Sequence, residues 1–505
     1  MFSERSSGIL LHPTSLPGVY GAGDFGPEAY HFVDWLASAG QSVWQVLPMG
    51  AIGDGNSPYM GSSAFAGNPL MIDLSDLGKR GWLGADDLRP DPAFRTGRVE
   101  YSLQFAFRIP RLRLAAQHFH SRAEQDERND FEAFCEAEQS WLQDYALFMA
   151  IDAAHPGKSW DEWPAPLARR DPGAMRKALH AHAGEMAFWK FCQWLFERQW
   201  SGLKHYANSR GVRIVGDVPM FVAFHSADVW AQQQLFELDA HGRRTVVAGV
   251  PPDYFSATGQ RWGNPLFRWD AHRAEGYRWW IARMKRALAL ADVVRIDHFR
   301  GFAAYWEIPA SEPSAINGHW VTGPGKELFQ VLQDHFPELP VIAEDLGLIT
   351  PDVEDLRDSF NLPGMRVLQF AFTEDASHAY LPHNYAVNSV AYTGTHDNDT
   401  IIGWWNSASH RERAFAQHYL GSDGNSMQWS LMRALSVSVA RLVVYPMQDV
   451  LGLDGRFRMN VPGVHKGNWE WRFSWPEVQP WHAKVLREMG AVHGRCAMHG
   501  AALPG

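Results

Sequence analysis

The sequence predicts an α/β protein, a (β/α)8 TIM barrel with an inserted helical subdomain and long loop insertions at its C-terminal face. Three observations predict it. Eight short apolar runs of strand length recur along the chain, most of them separated by segments whose apolar residues fall at helical spacing. The first two runs flank a helix through short connections, and such a βαβ unit calls for parallel pairing. Carboxylates stand at or just past the C-terminal ends of several runs, the edge where barrel enzymes build their sites.

Length alone would suggest several domains, but a barrel with insertions fills 505 residues as one core, and residues 1–505 read as a single catalytic barrel. A hydrophobic fraction of 46% and a charged fraction of 20% describe a globular protein with ample core material. Its 23 Trp and 29 Phe exceed what an aliphatic core needs; most are expected to pack, though aromatic faces are also platforms for flat ligands such as sugars. The net charge of -10, with no Lys/Arg cluster, argues against a nucleic-acid partner and favours a neutral small molecule or polymer. Cys135, Cys192 and Cys496 are widely separated, without metal-type spacing, and read as reduced thiols of a cytoplasmic protein. Neither a leader nor a run of membrane-spanning length is evident, so no membrane partner is expected, and the chain reads as a monomer or weak homo-oligomer.

Taken in order, Gly8 to Pro13 is a first strand, Glu28 to Ala39 a helix, and Ser42 to Pro48 a second strand. The polar, Gly-rich segment Gly50 to Pro69 follows, with Ser57, Tyr59 and Asn68. Residues 74–210 change to long helical periodicity, clearest over Gln104 to His120, Phe131 to Ala154 and Glu185 to Ser209, and form the inserted helical subdomain. The third strand, Val212 to Pro219, carries Asp217 toward the mouth. An insertion at 220–270 then reads as irregular, with an aromatic lid loop at 249–265, too aromatic for a solvated linker. Helix Gly276 to Leu290 leads to the fourth strand, Ala291-Asp-Val-Val-Arg-Ile-Asp297; helix Lys326 to His335, strand Leu339 to Asp345, helix Pro351 to Asp358 and strand Gly364 to Phe370 come next. Asn388 to Gly394 and Ala440 to Pro446 complete the eight.

The fourth strand holds two opposite charges in an apolar run. Residues two apart share a strand face, so Arg295 and Asp297 point together, and the cation should keep the carboxylate ionised. A buried pair that only holds the strand in place would look the same. Asp217, Asp297, Glu344 and the His396-Asp397 pair all fall at strand ends, and converging carboxylates without a nearby lysine base suit glycosidic-bond chemistry. A metal-dependent hydrolase is the rival reading, since His, Asp and Glu also ligate metals at barrel mouths; the first strand, however, supplies only His12 where a His-x-His pair would support it. Aromatic residues Tyr254, Phe255 and Trp262 favour sugars, which stack on rings.

Gly216-Asp217, Arg295-Ile-Asp297-His298, Ala343-Glu344-Asp345 and Thr395-His396-Asp397 resemble the four motif regions of the α-amylase clan. Ser57-Pro-Tyr59, Phe65-Ala-Gly-Asn-Pro69, Pro251 to Ser256, Gly259 to Pro265, Asn460-Val-Pro-Gly463 and Gly467-Asn-Trp469 resemble, more narrowly, the 4-α-glucanotransferases (amylomaltases or disproportionating enzymes). The resemblance runs from Gly8 to about Phe473. It implies a retaining double displacement on α-1,4-glucans, with Asp297 as nucleophile, Glu344 as acid then base, and Asp397 holding the sugar through its hydroxyls. His298 and His396 would bind hydroxyls near the cleaved bond, and Asp217 would orient Arg295 or the sugar. Tyr59, Tyr254, Phe255 and Trp262 would form donor and acceptor platforms, with Ser57, Gln260 and Asn460 as further binding residues. Asp345 is expected to play a structural role. No metal or other cofactor is required by this chemistry, and no calcium-type loop stands out. An α-glucan hydrolase of the same clan, or a catalytically silent glucan-binding protein, are the alternatives.

Overall fold

The computed structural model describes residues 2–95, 97–252, 256–373 and 375–496. Twelve strands follow in chain order: β1 (Ser6–Leu10), β2 (Val43–Gln45), β3 (Arg213–Pro219), β4 (Val246–Val250), β5 (Gln260–Pro265), β6 (Val293–Asp297), β7 (Ala304–Pro309), β8 (His319–Thr322), β9 (Val341–Ala343), β10 (Gly364–Val367), β11 (Ser389–Tyr392) and β12 (Leu442–Pro446). Eight of them close a barrel in the order β1-β12-β11-β10-β9-β6-β3-β2; these correspond to the eight expected runs, seven of them trimmed and the first shifted back from residues 8–13 to Ser6–Leu10. Pairing is parallel throughout. β1 and β12 are buried at every position, and β12, Leu-Val-Val-Tyr-Pro, reads as the apolar run that burial on both faces calls for.

Polar side chains also enter the barrel, and they do so in pairs. The Tyr392 hydroxyl on β11 donates to Gln45 Oε1 on β2 at 2.9 Å. Arg295 on β6 reaches the Met365 sulfur on β10 at 3.4 Å. Buried polar groups persist where they find partners, and this interior satisfies them side chain to side chain.

Between β2 and β3 lie the helices Tyr101–Arg122, Gln125–Ala137, Gln139–Ala154 and Ala183–Ser209. The single helix expected over Phe131 to Ala154 is two, broken at Glu138. The reason is burial: the first piece has no buried residue, whereas the second sinks Trp141, Leu142, Tyr145 and Phe148 into the core, so the two must diverge. Helix Ala183–Ser209 buries Trp189, Phe191, Trp194, Phe196 and Trp200 and shares one continuous core with the barrel. Trp44, Trp82, Trp160, Trp194, Trp200, Trp230 and Trp280 are fully buried, so packing accounts for much of the tryptophan excess.

The insertion at 220–270 is not irregular. It contains helix Ala227–Ala231 and strands β4 and β5, and helix Trp269–Ala274 begins at its end. With β7 and β8, which the sequence reading missed, β4 and β5 form an antiparallel sheet in the order β5-β4-β7-β8. Its strands escape detection because Gly249, Gly263 at φ 83° and Pro265 break the apolar alternation, and the β4/β5 register shifts between Val247 and Gly249. No helix among the described residues is long and apolar enough to cross a membrane.

Candidate active site

The site is built on β6. Alternation along Val293-Val-Arg-Ile-Asp297 turns Arg295 and Asp297 to the same side. Arg295 is only 3% exposed. Its Nη1 donates to both Asp217 carboxylate oxygens, at 2.8 and 2.7 Å, and its Nη2 donates to Asp297 Oδ1 at 2.9 Å. Burial opposes the guanidinium charge, but Asp217 and Asp297 outweigh it and hold Arg295 well above its usual range, a fixed cation. Asp217 sits opposite Arg295 in the β3/β6 register and accepts from the Tyr59 hydroxyl at 2.8 Å. Its carboxylate is fully enclosed, so Asp217 orients Arg295.

The β6/β9 register pairs Ile296 with Ala343, so the next residue on each chain, Asp297 and Glu344, stand side by side at the barrel mouth. Glu344 accepts from the Leu346 amide at 2.9 Å and from the His298 amide at 2.7 Å. His298 adopts φ 53°, a left-handed conformation disfavoured for a non-glycine residue, and that kink aims its N–H at the carboxylate. Despite both bonds, burial first and the neighbouring Asp297 charge second push the Glu344 carboxyl up to about 7. Asp345 turns to the other side, where its carboxylate accepts from the Met365 amide and pairs with Arg357, both at 2.6 Å; it is structural, as expected.

Asp397 follows β11. The Asn460 amide donates to its Oδ1 at 2.6 Å, and His396 Nε2 lies 3.3 Å from its Oδ2. Burial opposes ionisation of this carboxyl, yet His396, Asn460 and Arg295 outweigh it and hold it down at about 2. The same pairing raises His396 against the burial that would lower it. Tyr59 stacks on His396, with ring centroids 5.2 Å apart at 21°. Ser57 is engaged locally: it caps the turn Pro58–Met60, its Oγ accepting from the Tyr59 amide at 3.2 Å.

On β5, Trp262 meets His298 edge to face at 4.8 Å, and its indole donates to Gln260 Oε1 at 3.1 Å. Tyr254 and Phe255 lie outside the described residues. The structure thus brings together Tyr59, Asp217, Trp262, Arg295, Asp297, His298, Glu344, His396, Asp397 and Asn460. It also adds Arg458, whose Nη2 donates to the Asp397 backbone oxygen at 2.9 Å. Nothing in its local sequence signals this, since the contact spans a loop that only the fold closes.

Two imidazole nitrogens in the site are buried without a partner, Nε2 of His298 and Nδ1 of His12. Burial lowers His298 to about 4; for His12, burial and then the nearby His396 bring the value to about 3, so both rings are neutral at neutral pH. Orphaned buried donors or acceptors are costly, and a hydroxyl-rich ligand is suited to satisfy them. Among the described residues no group of three His, Cys, Asp or Glu is arranged to hold a metal ion. What the site offers is a carboxylate bonded to a permanent cation, beside a carboxyl that keeps its proton to near neutrality. Those are the two functions that cleavage of a glycosidic bond requires.

Residues 11–478 match the family described as 4-alpha-glucanotransferase. The 4-alpha-glucanotransferase of Thermus thermophilus is 54% identical over 499 residues, covering 97% of this chain and 99% of that protein. That of Synechocystis sp. is 47% identical over 503 residues, covering 99% and 100%. Among solved structures, the amylomaltase from Streptococcus agalactiae in complex with acarbose superposes with a TM-score of 0.94 at 36% identity, covering 98% of this chain and 100% of that one.

Proposed function

We propose how this chain, which belongs to the 4-alpha-glucanotransferase family and moves segments of α-1,4-glucans from donor to acceptor sugars, divides the work among its side chains. Asp297 attacks the anomeric carbon while Glu344 protonates the departing glycosidic oxygen, leaving a covalent glycosyl-enzyme and a shortened glucan. Glu344, now ionised, takes the proton from the 4-hydroxyl of an acceptor sugar, whose oxygen displaces Asp297. Two displacements retain the anomeric configuration. Asp397, kept ionised, grips hydroxyls of the distorted sugar, and the unpartnered nitrogens of His298 and His12 take further hydroxyls. The Streptococcus agalactiae relative was solved in complex with acarbose, which supports a sugar ligand. The three free cysteines fit a reducing compartment, so the cytoplasm is our proposed location, with a monomer or weak homo-oligomer as the working unit.

The observation that carries the assignment is the adjacency of Asp297 and Glu344 at neighbouring strand ends, one bonded to Arg295 and the other pushed up to about 7. Asp297→Asn is expected to abolish turnover of maltotriose while calorimetry still detects oligosaccharide binding, because shape is kept and nucleophilicity is lost. Glu344→Gln should still release fluoride from α-maltosyl fluoride, a donor that needs little protonation. If Glu344→Gln slows fluoride release as much as it slows maltotriose cleavage, Glu344 is not the proton donor.

A further inference from the structure

The second sheet ends on β8, an edge strand that is mostly exposed, and at its centre stands Trp320 with 38% of its surface in solvent. Edge strands usually carry charge or proline there, since an exposed apolar ring on an unpaired edge invites misassembly. This ring is also held in place. Trp320 pairs in register with Trp306 on β7, the two indoles meeting edge to face at 5.2 Å. The Trp306 indole is itself tied to the Ala315 carbonyl at 2.9 Å. Beneath Trp320, the guanidinium of Arg300 lies 4.0 Å from the ring centroid. Arg300 is only 7% exposed, so it backs the ring from the protein side, while 38% of Trp320 stays in solvent.

The brace is continuous with the active site. Arg300 follows Asp297 by three residues, and its Nη1 donates to the backbone oxygen of Leu348, four residues beyond Glu344. Leu348 is itself 65% exposed and lies on the loop that follows Glu344. On the assignment above, Glu344 protonates the oxygen of the departing sugar, and the Leu348 loop follows directly from that residue.

We propose that Trp320 is a docking platform for a distal segment of a long α-1,4-glucan whose reacting bond lies between Asp297 and Glu344. The inference rests on the glucanotransferase reading and adds a length-dependent subsite to it. A rigid ring backed by a cation offers its exposed surface to the apolar face of a glucose unit at little entropic cost.

The test compares Trp320→Ala and Trp320→Phe with the unaltered enzyme on maltotriose and on long-chain amylose, together with retardation in amylose-containing native gels. Loss of one stacking contact should raise the amylose KM about fivefold and weaken gel retardation, with kcat and maltotriose disproportionation unchanged. Trp320→Phe, which keeps a ring, should recover part of the loss. Unchanged KM and retardation in Trp320→Ala would overturn the platform while leaving the function intact; an equal loss on maltotriose would also overturn it, by showing that the ring acts through Arg300 on the catalytic residues. Dissociation of a dimer by Trp320→Ala would assign the ring to a second copy of this chain and equally overturn the proposal. If the unaltered enzyme fails to disproportionate maltotriose, the underlying reading falls and the platform with it.

Discussion

At the scale of single residues, the decisive contrast is between two carboxyl groups on neighbouring strands. Arg295 bonds to Asp297 and leaves Glu344 to burial and to the negative charge beside it. On the proposed mechanism Glu344 is the proton donor and works only in its acid form, which is lost as pH rises through about 7. The kcat/KM for maltotriose is therefore expected to fall on an alkaline limb centred near 7, by about tenfold per pH unit beyond it. Because the Asp297 charge is the second cause of that elevation, neutralising it should lower the titration of Glu344. Carboxyl infrared or NMR titration of Asp297→Asn reads the group directly, without needing activity. A Glu344 midpoint in that variant at or above its value in the unaltered enzyme would show that burial alone sets it.

Single elements show how a buried charge can be kept for structure rather than chemistry. Asp449 lies on the short helix Met447–Val450 after β12, only 1% exposed. Its carboxyl accepts from the Ile401 amide and the Thr393 hydroxyl, both at 2.7 Å, joining the start of helix Ile401–Ser407 to the end of β11. Burial pushes it up to about 7 from an ordinary 3.8. In the window between those values the folded chain binds a proton that the unfolded chain does not, so this group makes stability fall as pH rises from about 4 to about 7. Asp449→Asn keeps the shape and removes the titration. Its melting temperature relative to the unaltered protein should therefore improve from pH 5 to pH 8, by an amount on the order of a few kcal/mol in stability. A difference that stays constant across that range would mean that Asp449 does not titrate there.

The same scale explains what the sequence made visible. Most barrel strands were legible because burial on both faces calls for an apolar run, and Asp217, Asp297 and Glu344 were legible because each stands at or near the C-terminal end of such a run. The second sheet was not, since glycines and a register shift erase its alternation and β8 exposes most of its residues. Nor was the bracing of Asp397 by Arg458: a donor 61 positions away acting on a backbone oxygen leaves no pattern in either segment. For Ser57, which the sequence reading assigned to binding, the structure adds a local capping bond from the Tyr59 amide.

For the whole molecule, the division into barrel and second sheet separates two tasks. On the proposed mechanism, bond breaking depends on groups fixed on or just past barrel strands, namely Arg295, Asp297 and Glu344. Capture of an acceptor must be governed elsewhere, because water is in vast excess and an acceptor sugar wins only if it is held in attacking geometry, where effective molarities reach roughly 10⁵ M or more. The hairpin of β4 and β5 stands beside the site through Trp262 and His298, 4.8 Å apart, and the segment joining its strands carries Tyr254 and Phe255. Two rings stacked on an incoming glucan would contribute about 1 kcal/mol each and exclude water from the intermediate. Tyr254→Ala combined with Phe255→Ala is therefore expected to move the ratio of transfer to hydrolysis on maltotriose toward hydrolysis by about tenfold, with cleavage itself retained. Chromatography of oligosaccharide products against the gain in reducing ends measures that ratio. If it holds at the unaltered value, the hairpin does not select the acceptor, and Tyr59, whose ring stacks on His396 at the barrel mouth, becomes the next residue to vary.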